Sequence, residues 1–228
     1  ILLEKDISLD QLVLENEMDI TGAPREEIEA GLDALLDAMD GSVARGLKAR
    51  GVLPGPVGLY RKAAGVFARA QAMDSPVNRF FALMDAYALA AAEENAAGHI
   101  SVTAPTLGAC GVMPAVNRIM DGELHVGREQ RRHGLLAAAA IGFLVMRNAS
   151  IAGAEVGCQG EVGVASSMAA AMLAHGMGLP RRCVFNAAES ALEDHLGLTC
   201  DRVRGYVQVP CVERNAMSAI KAYNAYAL

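Results

Sequence analysis

Apolar residues recur at helical spacing almost from end to end of this chain, and that periodicity limits what it can fold into. Within residues 24–48, Ile28, Leu32, Leu35, Leu36 and Met39 fall on one helical face, with Pro24 as a start signal and Glu26 and Glu27 in the first turn. Further helices are expected at 60–73, 76–97, 111–121, 127–148, 162–178, 180–196 and 212–227. The one strand-like stretch is 206–209. The apolar fraction is 53%, weighted toward Ala and Met and without Trp, which suits close helix packing better than a sandwich of β-branched strands. The expected fold is mainly α: a single compact helical domain with its functional loops between helices.

Residues 51–58 hold two prolines and three glycines, so they form a loop and the clearest candidate boundary. They divide an N-terminal helical segment, 1–50, from the remainder, 51–228, and at 228 residues the two fit one domain. No run of eighteen uncharged apolar residues occurs. The densest stretch, 134–146, is too short for a bilayer and reads as a buried core helix. No basic leader with an apolar core is visible, which predicts a cytoplasmic protein without a membrane partner. A formal charge of −6 argues against nucleic acid. The basic run at 128–133 reads as the solvated start of a helix.

Five cysteines in such a chain point to a reducing compartment and to metal or chemical roles. Cys158, Cys200 and Cys211 sit in polar, turn-prone segments, GAEVGCQGEVG, LGLTCD and VQVPCVERNA, whereas an ordinary free cysteine packs among Ala and Leu. Three such thiolates can hold a soft metal centre, and iron–sulfur clusters are typical cargo of cysteines lacking a zinc-style CxxC pair. With three ligands instead of four, one iron of such a cluster stays open for chemistry. Cys110 is read as packing and Cys183, at a helix start, as structural.

These segments resemble the iron–sulfur-dependent L-serine dehydratases, specifically their catalytic α domain or α subunit. The match runs through NASIAGAEVGCQGEVGVASSMAAA, LGLTCD and VQVPCVERNAMSAIKA, with EENAAG (93–98) and TAPTLGACG (103–111) upstream. Spacings of 42 residues from Cys158 to Cys200 and 11 from Cys200 to Cys211 also look like the family's. The resemblance implies a [4Fe-4S] cluster on these cysteines, residues 51–228 as the catalytic α domain, a small β-hydroxy amino acid as substrate, and a homo- or hetero-oligomer. It also implies a β domain or β subunit as partner, so the chain is expected to be a fragment or a subunit. L-Serine is the expected substrate, with threonine or a non-catalytic helical subunit as alternatives. No lysine lies in a motif suited to pyridoxal phosphate.

The TAPTLGACG loop delivers the chain into a helix, where exposed backbone N–H groups favour an anion. Thr106, Leu107, Gly108 and Ala109 are therefore candidate substrate-binding residues, and the resemblance implies that they take the substrate carboxylate. Several dehydratases carry Asn in place of Leu107, which bears on substrate identity. Asn148 and Ser150 join the substrate-binding set. Buried carboxylates near Cys158 must be paired, metal-linked or protonated; Glu155 is the candidate base, and Glu161 reads as a cap bonding loop amides. His195 is the second catalytic candidate, although it stands one place away from the histidine of some relatives. Arg202 and Arg204 can clamp an anion or face solvent, and solvent is the simpler reading. Arg214 can pair with Glu213 or a site carboxylate, and Asn215 can orient a ligand.

Overall fold

Every helix expected from the periodicity is present in the computed structural model, which describes residues 7–228. In chain order the helices are α1 (Leu9–Thr21), α2 (Arg25–Gly46), α3 (Ala63–Gln71), α4 (Pro76–Ala96), α5 (Val112–Gly122) and α6 (Arg128–Asn148). The short α7 (Gly153–Val156) follows, then α8 (Val162–Gly176), α9 (Arg181–Glu193) and α10 (Cys211–Ala227). Single 3-10 turns lie at Leu107–Ala109, Cys158–Gly160 and Val203–Gly205. Among the described residues there is no β-strand beyond one isolated bridge, Val52 to Tyr60. The stretch 206–209, expected as a strand, is bend and turn; Gln208 N–H bonds the Tyr206 carbonyl, curling the backbone back on itself. Helix α1 falls in the N-terminal segment expected to be helical, although periodicity did not place it. Its boundaries are set by chemistry a periodicity scan does not weigh, a capping box of Ser8 with Gln11 and a left-handed Gly22.

Helix α8 is the hub. All of its residues except His175 are buried, and it packs against α5, α6, α9 and α10. Small residues permit this: a Cβ on Gly134 of α6 would stand 2.6 Å from the Met172 carbonyl oxygen of α8, so the backbones touch where no side chain fits. Helix α4 forms a second hub against α2, α3, α5 and α10, and its Ala86, Ala88, Ala90 and Ala91 are fully buried. No helix of the described residues is long and apolar enough to cross a membrane.

Two expectations about α6 change. The basic run at its start is paired rather than solvated. Arg128 bonds Asp33 and Asp37 of α2, Arg132 bonds Glu29, and buried Arg131 bonds Asp121 and Asn117. These arginines fasten α6 to α2 and α5 through charge. At its other end the helix leaves the core: burial stops at Gly142, and Phe143, Leu144 and Met146 are exposed.

Candidate metal and substrate site

Four segments meet at one end of α8. The first is the turn Cys158–Gly160, entered through Gly157 at φ +78°, where a Cβ would stand 2.6 Å from the Leu198 carbonyl oxygen. That contact lets the turn lie flat on the second segment, residues 197–200. Gln159 N–H donates to the Leu198 carbonyl at 3.1 Å, and Gly197 N–H donates to the Gln159 side-chain oxygen at 2.9 Å. Cys158 and Cys200 are thereby brought face to face.

The third segment is the N-terminus of α10, whose first residue is Cys211. One nitrogen of Arg214 reaches the Cys158 sulfur at 3.0 Å and the Thr199 carbonyl at 2.7 Å. Asn215 accepts from Gly111 N–H at 2.8 Å and donates to the carbonyls of Gly108 and Cys211, each at 2.8 Å. It sews the fourth segment, the loop 103–111, onto α10.

Sequence reasoning gave Glu161 a capping role, and the structure places it at the centre instead. Its carboxylate and the sulfurs of Cys158 and Cys200 all lie within 4.8 Å of one another. The Thr106 hydroxyl donates to Glu161 Oε1 at 3.1 Å. Gly108 and Gly153 flank that carboxylate so closely that a Cβ on Gly108 would sit 3.1 Å from it, and one on Gly153 would collide with it. The sequence signal was those two glycines, but only the fold shows that they face the same acid.

Cys211 stands outside the 4.8 Å group yet within electrostatic reach of it. Burial, then the neighbouring Cys158, Glu161 and Cys200, push its thiol up to about 11, against the pull of Arg202. Burial likewise raises Cys158, with Arg214 opposing and Cys200 and Glu161 adding to the rise. Arg202, expected to face solvent, is half-buried beside Cys200, whose nearness is the main cause of the rise in its guanidinium's pKa, with lesser help from Glu161 and Cys211. Arg204 instead donates to the Pro56 carbonyl at 2.8 Å, while Gln208 donates to Pro54, so the 51–58 loop is tied to the segment between Cys200 and Cys211.

The remaining candidates are dispersed. Leu107 is half exposed, while Gly108 and Ala109 are buried. Exposed Asn148 donates to the Leu144 carbonyl of its own helix. Ser150 donates to exposed Glu155 at 2.6 Å, and its carbonyl oxygen lies against Gly160. His195 is buried between α9 and α10, with Nδ1 2.6 Å from the Ala191 carbonyl and Nε2 2.9 Å from the Ser218 hydroxyl. Arg214 faces a sulfur rather than Glu213, which pairs with Lys62. Cys110 is packed, its thiol pushed up to about 12 by burial, whereas Cys183 lies exposed on α9.

Clustered thiols whose ionisation is opposed by burial and by one another are a donor set that a bound cation satisfies. Fold and site together define an all-helical protein with a cysteine-rich end whose Cys158, Glu161 and Cys200 could hold a metal ion, beside the 103–111 loop. Residues 4–228 match the family model described as serine dehydratase alpha chain, and the chain belongs to that family. It is 48% identical to L-serine dehydratase 2 of Escherichia coli (strain K12) over 226 residues, which cover 97% of this chain and 49% of that protein. Identity is 46% over 226 residues to the L-serine dehydratase of Haemophilus influenzae, covering 97% and 49%. With the L-serine dehydratase of Streptomyces coelicolor it is 45% over 223 residues, again 97% and 49%. The chain spans about half the length of these curated relatives.

Proposed function

We propose that this chain carries the catalytic centre of an L-serine dehydratase, a lyase converting L-serine to pyruvate and ammonia. The observation that carries the reading is the Thr106 to Glu161 hydrogen bond, which joins the anion-receptive loop to the carboxylate lying beside Cys158 and Cys200. Cys158, Cys200 and Cys211 would hold a [4Fe-4S] cluster, which supplies an open iron as Lewis acid toward the β-hydroxyl. Their fit rests on the donor chemistry: three sulfurs at one end of α8, with Arg214 and Arg202 offsetting the negative charge.

The loop Thr106 to Ala109 takes the substrate carboxylate. Glu161, beside both loop and sulfurs, takes the Cα proton; the Cα–H electrons form the double bond as the β C–O bond breaks, and the departing hydroxide takes up the proton held by Glu161 to leave as water. The aminoacrylate released then tautomerises and hydrolyses. Glu155, bonded by Ser150, and Asn148 lie on the segment that leads into the Cys158 turn, where Ser150 and Asn148 would contact substrate. A β domain or β subunit covers this end, the assembly is oligomeric, and the protein works in the cytoplasm.

Anaerobic reconstitution with iron and sulfide, alone and with a β partner, tests this. L-Serine is expected to yield pyruvate, with L-threonine as the comparison substrate. Glu161→Gln is expected to keep the cluster and lose on the order of 10²–10⁴-fold in kcat, the range of a positioned general base. A cluster-loaded protein that turns over no hydroxy amino acid would refute the reading.

A further inference from the structure

The EENAAG motif is not used by the reaction as derived above, yet it holds both ends of the substrate loop. Just past the end of α4, Gly98 takes φ +80°, and His99 folds back so that its Nδ1 lies 2.9 Å from Glu94. Buried Glu94 also accepts from Arg61 at 3.0 Å and from Arg45 at 3.1 Å, and Arg45 in turn donates to the Ile100 carbonyl at 2.8 Å. This fixes where the loop begins. At the other end the Asn95 side-chain amide donates to the Leu107 carbonyl at 3.0 Å.

That last bond orients a peptide. The Leu107–Gly108 unit is trans, the cis bonds being Ala104-Pro105 and Val209-Pro210, so its C=O and N–H point in opposite directions. With the carbonyl drawn toward Asn95, the Gly108 N–H is turned away from α4. Among the described residues no protein group accepts from that N–H, whereas the next two, of Ala109 and Cys110, are bonded to Thr106 and Leu107. Gly108 is buried, and a buried N–H without a protein acceptor is rare. The Gly108 carbonyl is itself held, accepting from the Asn215 side-chain amide at 2.8 Å.

We infer that Asn95 is a positioning residue for substrate carboxylate recognition, holding the Gly108 N–H as a free donor for one carboxylate oxygen. The inference rests on the proposed reading of the loop as the substrate site. Asn95 itself touches no substrate; it sets the direction of a backbone donor and excludes a flipped peptide.

The test compares cluster-loaded wild type with Asn95→Ala and with Asn95→Asp, which keeps the shape but cannot donate. Loss of one well-placed hydrogen bond to an anion predicts a rise in KM for L-serine of about tenfold in both variants, with kcat and iron content at wild-type levels. Binding of 2-aminoethanol, which keeps the amine and hydroxyl but has no carboxylate or carbonyl to accept from the Gly108 N–H, is expected to be unchanged by calorimetry, a result that a general loosening of the fold would not give. An unchanged KM, equal weakening of L-serine and 2-aminoethanol, or a fall in kcat and iron content alone would overturn the inference. Wild type that neither binds nor deaminates L-serine would instead overturn the proposed function.

Discussion

Arg214 holds two cysteine segments together with one nitrogen, 3.0 Å from the Cys158 sulfur and 2.7 Å from the Thr199 carbonyl next to Cys200. Hydrogen bonds involving a charged partner contribute roughly 1.5–3 kcal/mol, enough to shift an equilibrium about tenfold or more. Arg214→Ala is therefore expected to bind the cluster at least about tenfold more weakly, read as iron and sulfide retained after anaerobic desalting. Arg214→Lys keeps the charge but not the planar fork, so it falls between the two. Equal retention in all three proteins would show that the arginine is incidental to the metal centre.

Gly157 gives a backbone test of the same junction. Its φ of +78° and its closeness to the Leu198 carbonyl leave no room for a methyl group. Gly157→Ala combines left-handed strain with a steric clash, costing on the order of 1–3 kcal/mol from the backbone alone. The Cys158 turn should lift off residues 197–199, lowering Tm and cluster content together. A variant with wild-type Tm and iron content would mean that the two loops need not be apposed.

The site was legible in the sequence to the extent that its residues had to be unusual for their surroundings. Cys158 and Cys200 stood out because polar, glycine-rich flanks are wrong for a packed thiol, and the fold does bring them together. Glu161 did not stand out, since its role depends on Gly108 and Gly153 arriving from loops distant in sequence. The same holds for Arg131, whose acidic partners lie on α2 and α5. Helix positions were readable because periodicity is local, while ion pairing and site assembly are not.

Asp10 supplies a pH-dependent tie between α1 and the core. It lies 2.8 Å from His175 of α8 and 3.9 Å from His133 of α6. Burial works against its charge, but the bonds from His175 and Ser8 outweigh that cost and hold its carboxyl well below the ordinary 3.8. A carboxylate depressed in the folded state stabilises fully above its unfolded value, and that contribution is lost as pH falls through the lower folded value. Asp10→Asn should thus lower stability by about 1–3 kcal/mol at pH 7, with the gap narrowing as the pH drops below 3.8. Urea titrations of both proteins across that range measure it, and a gap independent of pH would refute the assignment.

His195 is the sharpest test of whether burial or chemistry explains a histidine close to this site in sequence. Its Nδ1 faces a carbonyl, which can only accept, so Nδ1 carries the proton and Nε2 accepts from Ser218. Burial is the main force lowering its pKa below 6.5; the Ala191 carbonyl opposes this, and Lys221 adds slightly to it. A histidine kept neutral in the fold gains protons more readily when unfolded, so stability decreases as pH falls below the unfolded 6.5. His195→Gln should reduce the part of the wild-type stability loss between pH 7 and pH 5.5 that this group contributes. The same variant should leave the pH profile of kcat/KM for L-serine in place, because the base proposed above is the Glu161 carboxylate and not the imidazole. Disappearance of one limb of that profile in His195→Gln would instead put the histidine in direct contact with the reacting atoms.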